Sequence, residues 1–314
     1  MTDMNNSRWA LVARDPAMLA ALAPLIDARG RLGSVHLAAS LAEALSHADS
    51  ILVAGGETPQ SAILKADRGR RVPVGWIGAD RESAAVFARV AAEVALRQEH
   101  RLTIGPAVLL AQWDERALLL ADEVERACHA RLLRWTAERL ARRDLLDALR
   151  CGPGAALYLG HALSGGWVGY GGLTAGVLST RRMQPLGAIL TVASDAGQRH
   201  GRRPSFSDEL VMRGGCAAAL GAVGKTPQET NRVLARCMAR ALHTSATLGE
   251  LLLRMPEETL RGYRIAGDPA AALIGAEHAY ETASAVYAPA PDRLPEPALS
   301  ARRHWNVESR VAQR

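Results

Sequence analysis

The chain has 314 residues, 48% of them hydrophobic but only 4% aromatic, with a formal charge of +6 and a mean hydropathy near zero. That is apolar material for two cores, since single cores tend to split above roughly 250 residues, and no run of 18 apolar residues suggests a membrane span. The positive charge is almost all arginine, with Lys65 and Lys225 the only lysines, and the arginines alternate with acids, as in RLLRWTAERLARRDLLDALR from Arg131 to Arg150. Phosphate backbones need cations clustered on one face, so this pattern argues against a nucleic-acid surface. Cys128, Cys151, Cys216 and Cys237 form no CxxC pair and have no histidine at ligand spacing. Neither a metal site nor a disulfide framework is implied, nothing calls for a cofactor, and a reduced compartment is expected. The opening MTDMNNSRW lacks a charged start followed by an apolar segment, which adds to the expectation of a cytoplasmic protein.

From Arg8 the text alternates short apolar runs with amphipathic stretches: WALVA, PAMLAALAPLIDARG, SVHLA, SLAEALSHA, SILVAGG, then a linker helix and VPVGWIGAD. Strands alternating with helices predict a mostly parallel sheet. Ser40 is a fitting N-cap, and Ser83 to Gln98 predicts the helix that closes the unit. In length and order residues 1–100 are similar to a response-regulator receiver. The resemblance implies an acidic pair after the first strand and an Asp after the third, but here stand Arg14 with Asp15, and Ala54 or Gly55. Without the acceptor carboxylate the unit reads as a pseudo-receiver, or as another flavodoxin-like unit used for packing.

Around Arg97 to Pro106 charge gives way to Gly-Pro, the expected junction, and a second series begins with AVLLAQWD. Glu115 to Leu149 predicts one or two helices, and Gly152-Pro153-Gly154 a turn before the strand AALYLGHA. After the loop SGGWVGYGGL come a helix near Leu173 to Thr180, the strand AILTVAS, a loop, a helix from Phe206, the strand AAALGAVG, helices over Gln228 to Leu242 and Leu248 to Met255, and YRIAGDPAAAL. Residues 281–314 hold four prolines between Pro289 and Pro297, which predicts a Pro/Arg-rich flexible, semi-extended tail.

The second series resembles the caspase-like α/β domain of the CHAT and gingipain type (clan CD). VLLAQWDERALLLADEVERACHARLL precedes ALYLGHA, similar to the strand that ends in the catalytic His-Gly; YGGLTA, LGAILTVASDAG, SDELVMRGGCAAALGAV and YRIAGDPAAAL follow in the family's order. The fold expected is therefore α/β, with two three-layer αβα domains: a receiver/flavodoxin-like one over 1–100 and a caspase-like one over 107–280. In that family a cysteine thiolate attacks, a histidine moves its proton, and backbone N–H groups hold the oxyanion. The resemblance gives His161 the imidazole role. Where the family keeps its cysteine stands Asp195, with Ser194 beside it as an alternative nucleophile. Ala162 replaces the glycine after the histidine, a position where the family's glycine permits φ > 0.

An aspartate cannot replace a thiolate, so the resemblance implies a degenerate peptidase that binds a protein or peptide partner without cutting it. The alternative is an active cysteine or serine endopeptidase using His161. His161 can also be read as an ordinary hydrogen-bonded residue. Trp167 and Tyr170 in the glycine-rich loop, and Trp305 in the tail, are the candidate partner contacts, with a plain connection and an idle terminus as the alternatives.

Overall fold

The computed structural model describes residues 7–277 and 279, apart from 14, 79, 100–106, 130–131, 138–139, 180–183, 202 and 278. Trp305, the tail over 281–314 and most of the expected junction lie outside the described residues. The first half runs β1 (Ser7–Ala13), α1 (Pro16–Leu32), β2 (Gly33–Ala38), α2 (Leu41–His47), β3 (Ser50–Ala54), β4 (Ile63–Lys65), β5 (Arg71–Ile77) and α3 (Arg81–Glu99). The second runs β6 (Ala107–Ala111), α4 (Glu115–Ala127), β7 (Leu132–Thr136), α5 (Arg142–Leu149), β8 (Ala155–Leu159), β9 (Ala162–Leu163), β10 (Gly166–Trp167), β11 (Leu173–Thr174), α6 (Ala175–Ser179), β12 (Leu186–Val192), α7 (Phe206–Met212), β13 (Cys216–Ala222), α8 (Gln228–Ala241), α9 (Leu248–Leu253) and β14 (Tyr263–Gly267).

Local chemistry explains many of these boundaries. Asp15 caps α1 by accepting from the Ala17 N–H at 2.9 Å, and Ser40 caps α2 by accepting from the Glu43 N–H at 3.2 Å. At α7, Ser205 and Asp208 form a reciprocal capping box. The central strands β6, β8, β12 and β13 are buried at every position, as strands covered on both faces must be.

Two elements differ from the sequence expectation. The stretch between β3 and β5 holds the short strand β4 and a 3-10 turn instead of a helix. Between α4 and α5 the chain forms β7, an edge strand paired with β6, where the arginine-rich text suggested only helix. Trp135 of β7 is fully buried, while Arg134 points back to Asp122 and Glu125 of α4 at 2.5 and 3.0 Å. Tertiary pairing overrode a composition that suits a helix.

The sheet runs β2-β1-β3-β5-β14-β13-β12-β8-β6-β7, with β4 beside β5. The two α/β series therefore share one sheet, joined where β14 pairs parallel with β5 and antiparallel with β13. The other neighbours on the main path are parallel. A single antiparallel step reverses direction, so the carboxyl ends of β1, β3 and β5 lie on the edge opposite to those of β6, β8, β12 and β13. The two halves thus present their strand ends on opposite sides.

Buried arginines tie the halves together. Arg29 of α1 donates through Nε to Asp268 at 3.0 Å and through Nη1 to Gln98 at 3.2 Å, and the Trp9 indole donates to the same Asp268 at 3.0 Å. Arg97, at the end of α3, donates to the carbonyls of Pro185 and Ile274 at 2.7 and 3.2 Å. Burial lowers its guanidinium to about 10, still protonated at neutral pH.

Candidate functional site

Parallel strands that stop side by side bring their following residues to one edge, where open α/β sheets bind their ligands. In the β8–β12 register Leu159 faces Val192. Two residues beyond that pair stand His161 on one strand and Ser194 on the other. Asp195 comes one residue later, already in a turn, with φ +64°. Aspartate enters this left-handed region more readily than most residues, since its short side chain can bond locally.

The backbone of His161 is held from three sides. Its N–H donates to Gln112 Oε1 at 2.8 Å, and its carbonyl accepts from the Tyr158 hydroxyl at 3.0 Å and from the Val168 N–H at 2.9 Å. Burial pushes the Tyr158 phenol well above its usual range, so it remains a hydroxyl donor. The special backbone demand falls before the histidine, not after it. Gly160 has φ +155°, and a Cβ there would come within 2.7 Å of both Gln112 Cβ and the Tyr158 hydroxyl. Ala162 opens β9 and is not among the positive-φ residues, which removes the expected penalty at that position.

Beyond this anchored backbone the His161 side chain is exposed, and among the described residues no hydrogen bond or ion pair reaches its imidazole. Ser194 is half-buried; its Oγ accepts from the Thr226 N–H at 3.2 Å and lies 3.4 Å from Thr226 Oγ1. The Asp195 N–H donates to the Gly224 carbonyl at 3.2 Å, which fastens the turn after β12 to the end of β13. Gly197 and Gly221 allow this close lie, because a Cβ on Gly197 would meet the Gly221 carbonyl at 2.5 Å.

No cysteine stands at this edge. Cys128 follows α4, Cys151 precedes β8, Cys216 is the first residue of β13, and Cys237 lies in α8. The starts of β8 and β13 are on the far edge of the sheet. Burial pushes the Cys151 thiol up to about 11 and the Cys216 thiol up to about 12, so both stay protonated at neutral pH. In peptide-mapped alkylation at pH 8, both should react at least ~100-fold more slowly than an unhindered thiol, with Cys151 gaining rate only as pH approaches its raised value.

The two aromatic residues expected to meet a partner do not face outward. Trp167 is 1% exposed; it stacks on Tyr158 with centroids 4.3 Å apart, meets Phe206 edge-on, and donates to Thr191 Oγ1 at 3.0 Å. Tyr170 is 7% exposed, donates to the Trp135 carbonyl and accepts from the Ala111 N–H. The glycine-rich segment is a small three-stranded sheet, β11-β10-β9, that buries its rings beneath the edge. The exposed apolar groups near His161 are Trp113, just beyond β6, and Leu163 in β9, at 49% and 55% exposure. Sequence reading passed over both, and over Gln112; the signal for Gln112 and Trp113 was their place after the strand next to the histidine's own.

Among the described residues no group of three or more His, Cys, Asp or Glu could hold a metal ion, and no helix is long and apolar enough to cross a membrane.

The profile of Peptidase family C25 matches residues 97–274, more than half of the chain. The chain belongs to Peptidase family C25. Solved structures with the same fold include one described simply as a protease, at 11% identity and TM-score 0.64, covering 85% of this chain and 78% of the other. The complex of the pro- and mature domains of RgpB from Porphyromonas gingivalis matches at 13% identity and TM-score 0.60, covering 85% and 80%. The Arg-specific cysteine proteinase gingipain R matches at 13% identity and TM-score 0.60, covering 87% and 79%. No curated protein matches significantly. At such identities the likeness speaks for the fold alone: this C25 member is a caspase-like, clan CD α/β protein. Residues 107–280 are little more than half of the chain, so coverage of 85–87% takes in the N-terminal half as well.

Proposed function

We propose that this C25 member is catalytically inactive and acts as a regulatory or scaffolding protein, holding a peptide or protein segment along the edge where β6, β8, β12 and β13 end. The observation that carries this reading is the position of the sulfurs: none of the four cysteines lies at that edge. An anchored but unpartnered imidazole at 161, with Trp113 and Leu163 exposed beside it, suits contact with an extended segment better than turnover. A cytoplasmic setting, read from the cysteine pattern, goes with the proposal. Residues 1–100 then serve as a pseudo-receiver-like packing unit, for the end of β3 offers Ala54 and Gly55 in place of an acceptor carboxylate.

One observation favours a second reading. Ser194 follows the end of β12 by two residues, as His161 follows the end of the paired β8, so a serine nucleophile has a histidine on the neighbouring chain segment. Against it, the Ser194 hydroxyl is engaged by Thr226, not by the imidazole. A fluorophosphonate probe separates the two. The proposal expects no adduct at Ser194, whereas an adduct that disappears in His161→Ala would establish a serine hydrolase and end the inactive reading.

A further inference from the structure

Where the two halves meet, on the side of α7, the protein gathers more positive than negative charge. Arg264 of β14 is 3% exposed; its Nε donates to the Gly197 carbonyl at 2.8 Å, and its Nη2 to Ser205 Oγ at 2.9 Å and Asp208 Oδ2 at 2.6 Å. Asp208, also 3% exposed, is thereby matched one to one. A second guanidinium enters the cluster from the segment after β12. Arg199 Nε lies 3.4 Å from Asp208 Oδ2 and its Nη1 lies 3.4 Å from Thr58 Oγ1, both long for N–H···O contacts. Its Cζ sits 4.6 Å from the centroid of the Trp76 ring, and that of Arg264 lies 5.8 Å from the same ring. Two cations therefore share one carboxylate and one aromatic ring. Two acids adjacent in sequence to members of the cluster do not supply the missing charge: Glu209 is turned toward Arg213 at 3.7 Å and Glu57 is exposed.

Polar atoms are left over here too. Arg199 Nε, Arg264 Nη1 and Asp208 Oδ1 are buried without a hydrogen-bond partner among the described residues. A buried cation without a counter-charge is costly, and so is a buried N–H without an acceptor. One ligand with negative oxygens gives Arg199 a counter-charge and the two leftover N–H groups an acceptor, whereas Asp208 Oδ1, itself an acceptor, gains nothing from it. The Arg199 side chain is 29% exposed, which leaves a way in, and stacking on Trp76 holds its fork in place.

We propose that this cluster is a binding site for an oxyanion, a carboxylate or phosphoryl group, with Arg199 as the recognising residue, Arg264 as the second donor and Trp76 as the platform. The inference stands apart from the peptidase edge, since it uses neither His161 nor Ser194. Bidentate guanidinium contacts favour planar or tetrahedral oxygen anions over halides.

The test uses the full chain, titrated separately with sodium phosphate and sodium glutamate against sodium chloride at matched ionic strength, followed by thermal unfolding and calorimetry. Stabilisation by either anion above the chloride control is expected; phosphate alone identifies a phosphoryl ligand, and glutamate alone a carboxylate. Arg199→Gln should weaken binding about tenfold or more. Without an oxyanion the same variant should melt no lower than the parent, since the charge removed is the surplus one. Arg199→Lys keeps the charge but loses the fork, so it should lose most of the effect, while Arg213→Gln should keep it. Equal response of the parent to chloride and to both oxyanions, or an undiminished response in Arg199→Gln, would overturn the site.

Discussion

Cysteine placed at residue 194 should become an unusually reactive thiol, and only while His161 is present. Residue 194 lies two residues past β12, as the histidine lies two past the paired β8, and the Thr226 N–H already donates to the side-chain atom there. A neighbouring imidazole and a backbone donor both favour thiolate over thiol, and such arrangements bring cysteine well below its usual value near 8.5. Iodoacetamide at pH 6.5 should then label Ser194→Cys on the order of tenfold faster than a free thiol, and the enhancement should vanish in the His161→Ala background. Asp195→Cys should show no such gain, because residue 195 sits in the following turn at φ +64°. If the 195 variant is instead the fast one, the aspartate occupies the nucleophile's place, as the family resemblance implies.

The second large effect concerns stability. Asp268 is fully buried and accepts from Trp9, Arg29 and the Ala270 N–H, so it joins β1 and α1 to the segment that follows β14. Asp268→Asn leaves the Arg29 guanidinium buried and unpaired, which costs about 3–5 kcal/mol and lowers the melting temperature by on the order of 10 °C. Arg29→Met added to it should recover part of the loss, since the stranded charge is then gone. Because one sheet runs through both halves, calorimetry should show a single transition that moves as a whole. Two transitions, with just one displaced, would mean that the halves unfold separately despite the shared sheet.

Much of the fold was legible because buried parallel strands leave compact apolar runs between helical patterns: AALYL, LGAILTV and CAAALGA are β8, β12 and β13, and Ser40 marked the start of α2. β7 was hidden because only Trp135 signals a strand, and pairing with β6 is a nonlocal event. The shared sheet was hidden for the same reason, as nothing local to YRIAG says that it will pair with β5. At the site, strand ends alone put His161 at the end of one strand and Ser194 with Asp195 at the end of its neighbour. Burial of Trp167 and Tyr170 could not, because glycine-rich text with rings reads alike whether the rings cover a core or reach for a partner. The Arg264–Asp208–Arg199 cluster joins residues from three separate segments, and no spacing announces it.

Proteome-derived peptides incubated with the purified chain, then read by mass spectrometry for new termini, give the most direct trial of the inactive reading. The parent and His161→Ala should yield the same termini as a blank. Cleavages made by the parent and missing with His161→Ala would contradict it.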